Sequence, residues 1–229
     1  NPDLFLLCQI ARYFAQRATV PVAINLDHGG SKKEVLEAFR AGFTSVMIDR
    51  SACSFEQNVR EVKEIVELAH ALGISVEAEL GHVGMADQYE TDGSAALTEP
   101  ETAAEFIRLT GVDCLAVAVG TAHGAYPKGM KPKLDFERLA AIKEKTGHFP
   151  LVMHGSSGTD NETLRKACRM GINKVNIAND LCQAAAKAAK TADLEGNHAY
   201  DFSAVVYEAV KAKMKEMIEV YGSVGKASM

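Results

Sequence analysis

The segment PLVMHGSSG, at residues 150–158, is a short apolar run that ends in a histidine followed at once by glycine. An apolar run of this length predicts a buried strand, and the glycine lets the chain turn sharply at its end. The same arrangement occurs in AINLDHGG at residues 23–30 and in CLAVAVGTAHG at residues 114–124. The chain therefore places three imidazoles where predicted strands finish.

Strand-like and helical segments alternate along the whole chain, which predicts a single α/β domain over residues 1–229. Six strand-like segments separated by helices imply parallel strands with right-handed crossovers. Two architectures fit this pattern, a doubly wound open sheet and a (β/α)8 barrel. The barrel is favoured because its strand ends share one rim, where His28, His123 and His154 can meet, whereas an open sheet would spread them apart.

The strand count falls short of a complete barrel. Such barrels have eight strands and typically about 250 residues. The chain supplies six predicted strands in 229 residues and begins within a predicted helix. We therefore expect that two strand–helix units, roughly 50–60 residues at about 30 residues per unit, are missing at the N-terminus.

Composition excludes several classes of function. The chain is 47% hydrophobic and 24% charged, with a net charge of −5 that gives no reason to expect nucleic acid or an anionic membrane as a partner. No apolar run is long enough to span a bilayer, and we expect no signal peptide. The five cysteines are odd in number and show no CxxC spacing, which is typical of reduced thiols in a cytoplasmic protein.

The three strand-ending histidines predict a metal site. Neutral imidazole is a good zinc ligand, and three protein ligands plus one open position form the pattern of a catalytic zinc site. Asp27 directly precedes His28, and at a strand end both side chains can reach the rim. Its carboxylate would orient the ring or act as an acid/base, and the alternative is a strand-ending Asx turn.

Three further acids lie in strands of apolar context. Glu77 and Glu79 share one face of a predicted strand at period two, and Asp49 ends the preceding strand. Buried carboxylates are costly unless they are paired or bound to metal. They are therefore interpreted as partners of the metal ligands, as alternate metal ligands, or as ion pairs with Arg50 or Lys174.

Glycine-bearing turns follow the last three predicted strands, in HGAY, HGSSGTD and NIAND. Backbone N–H groups at such turns suit a phosphate, with Ser156, Ser157 and Asn179 near a predicted helix start. Barrels often bind phosphate after their seventh and eighth strands, where two of these turns would fall if two strands are missing. For His82, in the GHVG turn, the sequence leaves open a position at the border of the site or a surface or packing role.

Taken together, these motifs resemble one family. NLDHGG, SVMID, SVEAELGHVG, TGVDCLAVAVGTAHGAY, PLVMHGSSG, NKVNIAND and the closing MIEVYGSVGKA resemble, in order and spacing, the class II metal-dependent fructose- and tagatose-bisphosphate aldolases. The similarity covers essentially all of the chain. It implies a zinc-dependent (β/α)8 barrel that is usually a dimer or tetramer, with its first two strands being those absent here.

The resemblance also implies roles for individual residues. The implied zinc ligands are His28, His123 and His154. Asp27 would be the acid/base that handles the hydroxyl proton at the cleaved carbon–carbon bond, and Asn176 would contact the enediolate. Asp49 and Glu79 match the acids of a secondary metal site. The implied positions for the ketose phosphate, partly beside a monovalent cation (Na⁺ or K⁺), are Gly124, Gly155, Ser157 and Asn179.

Two positions depart from the pattern of the family. A mobile loop glutamate, in a GGxED-like segment, normally removes the carbon-bound proton. Here that segment is GHVGMADQYE, so Asp87 is the nearest match and Glu90 the alternative. Ala178 stands where fructose-bisphosphate members carry an acid. Both departures fall where substrate would be held.

The implied function is a cytoplasmic zinc aldolase for a ketose phosphate, fructose-1,6-bisphosphate or tagatose-1,6-bisphosphate, with dihydroxyacetone phosphate and an aldehyde as products. The metal would act as a Lewis acid, so no lysine Schiff base is needed. One alternative is an aldolase for another ketose phosphate, such as a deoxy-gluconate or sulfo-sugar phosphate. Another is a non-catalytic subunit that assists a partner aldolase, against which the complete histidine set and Asp27 argue.

Overall fold

The computed structural model describes residues 3–86, 97–127 and 129–227. Strands and helices alternate in it. The strands are β1 (Asn25–Gly29), β2 (Ser45–Ile48), β3 (Ser75–Leu80), β4 (Cys114–Val117), β5 (Leu151–Met153) and β6 (Ile172–Val175). The helices are α1 (Leu4–Ala15), α2 (Lys32–Ala41), α3 (Phe55–His70), α4 (Pro100–Thr110), α5 (Phe136–Thr146), α6 (Asn161–Arg169), α7 (Asn179–Thr191) and α8 (Phe202–Val220), with a 3₁₀ segment at Gly196–Asp201.

The six strands form one parallel sheet whose spatial order is the order of the sequence, β1 to β6. A doubly wound sheet reverses its strand order at a switch point, so this order excludes that alternative. The predicted α/β class with parallel strands is confirmed. The two further strand–helix units stay a prediction.

The sheet is curled. β1 and β5 are four strand spacings apart, which is about 19 Å in a flat sheet. His28 Nε2, on β1, nevertheless lies 2.8 Å from Nδ1 of His154, which follows β5. The ends of distant strands therefore converge on one rim, as the barrel prediction requires.

Local sequence signals define the helix ends. Ser31 Oγ accepts a hydrogen bond from Glu34 N at the start of α2, and Gly42 ends that helix with a φ of +95°. The Glu34 carboxylate accepts from Gly30 N at 2.9 Å, one residue before the N-cap that a capping box would use. These caps fix where each helix begins after its strand, and hence where each strand end meets the rim.

Each strand presents one face to the helices and one to the concave interior. The outer face packs into the main hydrophobic core, which includes Ile48, Leu115 and Leu151. The concave face carries a small apolar group of Met47, Ala116 and Val152 with Cys114 against it. Glu77 is in register with Met47 on one side and with Cys114 on the other, so it lies on this concave face.

Two other expectations from the sequence concern membrane-spanning helices and the cysteines. Among the residues that the structure describes, no helix is both long enough and apolar enough to cross a membrane. All five cysteines are free thiols.

Candidate metal centre and active site

The three histidines that the sequence places at strand ends lie together at the rim, although β4 ends at Val117 and His123 follows it by six residues. Their ring centroids are between 4.6 and 5.6 Å apart, and all three pairs are edge to face. Donor atoms of these rings and of Glu79 lie within 4.8 Å of one another. The structure thus gathers residues from β1, β3 and the ends of β4 and β5 into one cluster.

A β-bulge turns Asp27 and His28 toward this cluster. Leu26 pairs with Val46 and Gly29 with Ile48, so two residues of β1 lie opposite one residue of β2. His28 takes a φ of +49°, in the left-handed region that non-glycine residues rarely adopt. Bulges of this kind re-aim side chains beside active sites, and here one brings two consecutive side chains to the rim.

The other two histidines are held by close backbone contacts. Gly155 has a φ of +65°, and a Cβ there would lie 2.5 Å from the carbonyl of Ala122, so only glycine lets the turns after β4 and β5 approach this closely. The backbone of His123 accepts from Ala86 N at 2.7 Å and donates to Gly84 O at 2.8 Å. Gly84 and Ala86 therefore fix the backbone of His123.

Carboxylates set the orientation of two imidazoles. His28 Nδ1 donates to Asp49 Oδ2 at 2.8 Å, and His154 Nε2 donates to Glu77 Oε1 at 2.7 Å. A neutral imidazole that donates from one nitrogen carries a lone pair on the other. His28 Nε2 and His154 Nδ1 then face each other across 2.8 Å, an arrangement that needs a cation between them.

The surroundings of the third imidazole, His123, indicate whether this cation is a proton or a metal ion. His123 Nε2 is buried and has no hydrogen-bond partner in the described part of the chain. Burial, together with the charges of His28 and His154, lowers the pKa of His123 to about 4. One proton cannot satisfy three converging nitrogens, whereas a tetrahedral metal ion binds three and leaves a fourth position open. The donor set therefore fits zinc.

His28 and its hydrogen-bond partner Asp49 have pKa values shifted in opposite directions. Burial lowers the pKa of His28, but the hydrogen bond to Asp49 and the charges of Asp27 and Glu79 outweigh it and raise that pKa. Burial tends to raise the pKa of Asp49, yet its hydrogen bonds with His28 and Ser51 bring it far below the ordinary range. Asp49 is thus a carboxylate that supports His28.

Glu77 and Glu79 differ in their partners. Burial would raise the pKa of Glu77, but the hydrogen bond from His154 and the charge of Lys174 lower it overall. Burial and the negative charge of Asp49 raise the pKa of Glu79, whose Oε2 has no partner among the described residues. Of the interpretations left open by the sequence, Glu77 forms the ion pair with Lys174, and Glu79 joins the candidate ligand cluster.

Asp27 is the most accessible of these acids. Its side chain is 54% exposed, and its Oδ1 lies 3.9 Å from His28 Nε2. Asn176 Nδ2 donates to the same oxygen at 2.9 Å. The carboxylate therefore faces the open side of the cluster in a defined orientation, which suits proton transfer.

The predicted phosphate positions line a cavity next to the histidines. This cavity of about 100 Å³ is bounded by Asp27, His28, His123, Gly124, Gly155, Ser156, Ser157, Asn176, Ile177, Ala178 and Asn179. α7 begins at Asn179, so its N-terminal N–H groups lie at one side of the cavity. A neighbouring cavity of about 400 Å³ shares Gly124, Ser157 and Asn179 with it.

Three details add to or differ from the sequence interpretation. Ser156, a phosphate candidate, is buried and donates to Asn176 O at 2.8 Å, so it joins two turns.

Ser51 was missed, because a lone serine after a strand carries no sequence signal. Its hydroxyl donates to Asp49 Oδ1 at 2.7 Å and lies 2.9 Å from His82 Nδ1, which places His82 at the border of the site. Asp87 and Glu90 lie outside the described residues.

Comparison with known proteins identifies the family. The sequence matches the family model described as fructose-bisphosphate aldolase class II over residues 3–226. The chain belongs to the class II fructose-bisphosphate aldolase family. It is therefore an aldolase-family enzyme, a carbon–carbon lyase, and this family generally uses Zn²⁺ and acts on sugar phosphates.

Individual relatives support this class II aldolase assignment. A fructose-bisphosphate aldolase of Thermus caldophilus is 43% identical over 93% of this chain and 78% of its own length. One of Geobacillus stearothermophilus is 41% identical over 92% of this chain and 73% of its own. The crystal structure of the YdjI aldolase from Escherichia coli K12 superimposes with a TM-score of 0.86 at 38% identity, covering 99% of this chain and 79% of that one.

Proposed function

We propose that this chain is a zinc-dependent aldolase that cleaves a ketose phosphate into dihydroxyacetone phosphate and an aldehyde, and catalyses the reverse condensation. The observation that carries the proposal is the convergence of three imidazole nitrogens at the rim, two of them oriented by carboxylates and the third buried with no partner among the described residues. Asp27 lies directly beside them.

The metal would be held by His28 Nε2, His123 Nε2 and His154 Nδ1, with Asp49 and Glu77 orienting two of the rings. Bound there, Zn²⁺ supplies a Lewis acid toward the oxygen atoms at the substrate's reacting centre. Glu79, with Asp49, is proposed as the secondary metal position, since one of its carboxylate oxygens is buried and unpartnered in the described chain.

Asp27 is proposed as the group that takes the hydroxyl proton during cleavage and returns it during condensation. Its carboxylate is accessible to a substrate and is held by Asn176 Nδ2, which is in turn placed to donate to negative charge developing on the substrate. Transfer of the carbon-bound proton is assigned to Asp87, with Glu90 as the alternative, and this assignment stays a prediction.

The substrate phosphate is proposed to bind at the turns after β4, β5 and β6. Gly124 and Gly155, with φ of +91° and +65°, adopt a backbone conformation that residues with side chains rarely take, and turns of this kind present backbone amides to an anion. Ser157 and Asn179 lie beside them at the start of α7, where the helix dipole favours an anion. A monovalent cation, Na⁺ or K⁺, is proposed to accompany the phosphate.

The hexose is proposed to be fructose-1,6-bisphosphate or tagatose-1,6-bisphosphate. A second candidate is another ketose phosphate, such as a deoxy-gluconate or sulfo-sugar phosphate. It is favoured by Ala178, which lines the cavity with a methyl group at a position where fructose-bisphosphate members carry an acid. The predicted homo-oligomer stays a prediction.

The test is release of dihydroxyacetone phosphate from a panel of ketose phosphates, before and after removal of metal with EDTA. We expect chelation to abolish cleavage and added Zn²⁺ to restore it, while borohydride with substrate traps no covalent adduct. Asp27→Ala should lower kcat by about 10²–10⁴-fold, because a general acid/base contributes about that much. It should leave zinc affinity nearly unchanged.

Asp113→Asn is the matched control, since Asp113 also pairs with a histidine, His70 at 2.9 Å, but precedes β4 at the opposite end of the sheet. Its kcat should equal that of the wild type. Cleavage that persists after complete zinc removal would refute the proposal.

A further inference from the structure

Lys174 points into the concave side of the sheet because β6 carries a bulge. Leu151 pairs with Ile172 and Val152 pairs with Lys174, so Asn173 is an extra residue without an opposite partner on β5. Val152 belongs to the apolar group of the concave face. The residue in register with it therefore faces the same interior, although Lys174 would point outward in a regular strand that begins with the buried Ile172.

The Lys174 ammonium joins two parts of the candidate site. It donates to Glu77 Oε2 at 2.8 Å and to Asn176 Oδ1 at 2.5 Å. The other carboxylate oxygen of Glu77 accepts from His154 Nε2, and the other end of the Asn176 amide donates to Asp27 Oδ1. One cation thus connects the support of a metal ligand with the support of the acid/base.

An ammonium group at this position determines which way the amide points. The oxygen and nitrogen ends of an asparagine amide are nearly equal in shape, so their orientation depends on the hydrogen-bond partners. Lysine can only donate, and it therefore requires Asn176 Oδ1 on its side. Nδ2 is then directed toward Asp27 and the cavity.

The same ammonium group acts on the metal side. Glu77 is buried, with 1% of its side chain exposed, and a buried carboxylate needs a cationic partner. The fixed carboxylate holds Nε2 of His154, which leaves Nδ1 directed at the other imidazoles. Loss of the ammonium would loosen both Glu77 and Asn176.

We propose that Lys174 is a positioning residue of the aldolase reaction, which orients the Asn176 amide toward Asp27 and, through Glu77, holds His154 as a metal ligand. The inference rests on the proposed function. A lysine that only stabilised the fold would contribute an ion pair with Glu77 and would have no effect on kcat in folded, metal-loaded protein.

The test compares Lys174→Met, Lys174→Arg and the control Lys33→Met in the full chain. Lys33 is 85% exposed and pairs with Glu37 on α2. Zinc affinity is measured by competition with a chelator, and kcat and KM are measured at saturating zinc. We expect Lys174→Met to weaken zinc binding and to lower kcat by about 10–100-fold each, the range found for residues that support metal ligands.

For Lys174→Met, the KM should change less than kcat. Lys174→Arg should recover most of the loss, because it keeps the charge and the donors. Lys33→Met should match the wild type. If Lys174→Met does not fold, Lys174→Gln replaces it with the same expected directions.

A double-mutant cycle with Asn176→Ala isolates the orienting role. If Lys174 acts on kcat through Asn176, Lys174→Met should cost little further kcat in the Asn176→Ala background. Full additivity of the two losses, or a metal-loaded Lys174→Met enzyme with wild-type kcat and zinc affinity, would overturn the inference. A wild-type chain that cleaves no ketose phosphate would instead overturn the proposed function, while the zinc-affinity comparison would still test the Glu77 and His154 part.

Discussion

Glu77 and Glu79 lie two residues apart on one face of β3, and both are buried, yet they are in opposite electrostatic settings. Glu77, deeper in the concave face, lies 2.8 Å from Lys174 Nζ and 2.7 Å from His154 Nε2, and its pKa is lowered. Glu79, nearer the rim, accepts from Val83 N at 2.9 Å, and its pKa is raised by burial and by Asp49. Burial alone therefore does not decide what an acid does.

The difference separates two roles within a single strand. Glu77 is a satisfied carboxylate whose partners are provided by β5 and β6. Glu79 retains a buried oxygen without a partner in the described chain, which is a destabilising arrangement unless a cation arrives. The deeper half of the interior thus holds a satisfied acid that supports its neighbours, whereas the rim gathers donor groups that fit a metal ion.

The largest expected effect comes from replacing each acid by its amide in metal-free protein. Glu77→Gln should lower the free energy of unfolding by about 2–3 kcal/mol, because it removes the buried carboxylate that accepts from the buried His154 Nε2 and from the partly exposed Lys174 ammonium. Glu79→Gln should be neutral or stabilising, since it removes repulsion from Asp49 and keeps an acceptor for Val83 N. Urea denaturation in the presence of a chelator measures both, and equal losses would contradict the distinction.

A second effect concerns Asp49, which acts on both His28 and Glu79. Asp49→Asn removes the carboxylate that orients His28, so zinc affinity should fall by about 10–100-fold. Chelator competition measures the change, with Asp113→Asn as the control that retains wild-type affinity. A zinc affinity unchanged by Asp49→Asn would show that the His28 orientation does not depend on this hydrogen bond.

The smallest effect is the pH dependence of stability in metal-free protein. Because the folded pKa of Glu79 lies above its ordinary value of 4.5, this acid destabilises the fold progressively as the pH rises through and above 4.5. The pKa of Glu77 lies below 4.5, so its contribution is present above that pH and is lost as the pH falls through its folded pKa.

The advantage of Glu79→Gln over the wild type should therefore grow as the pH rises from 4.5 toward 7, while the disadvantage of Glu77→Gln should shrink below pH 4.5. Each slope is at most about 1.4 kcal/mol per pH unit, the value for one proton. Urea midpoints collected at several pH values supply the measurement, and parallel profiles for the two variants would contradict the opposite pKa shifts.

Much of the fold could be predicted from local patterns. Ser31 caps the start of α2 and Gly42 ends it, and both are residue types that mark helix ends in a sequence. The strand ends beside His28 and His154 followed from apolar runs closed by glycine, whereas β4 ends at Val117, six residues before His123. These features depend on interactions within a few residues, and short-range signals of that kind are written directly in the sequence.

Bulges and long-range partners were not predictable in this way. The bulge that brings Asp27 and His28 to the rim together, and the one that turns Lys174 inward, depend on how β1 and β6 pair with neighbouring strands. Ser51 and the Lys174 contact with Asn176 carry no pattern of their own. Such features exist only once the strands are in register.

By itself, the sequence determined that strands and helices alternate, that three histidines follow apolar runs, and that Glu77 and Glu79 share a face. It left open whether each acid pairs with a cation, supports an imidazole or faces an ion site. Only the tertiary structure decided this, because the curled sheet brings Lys174 and His154 to one glutamate and Asp49 to the other. The pKa of a buried acid follows from charges that lie far away in sequence, and folding is what places them within a few ångströms.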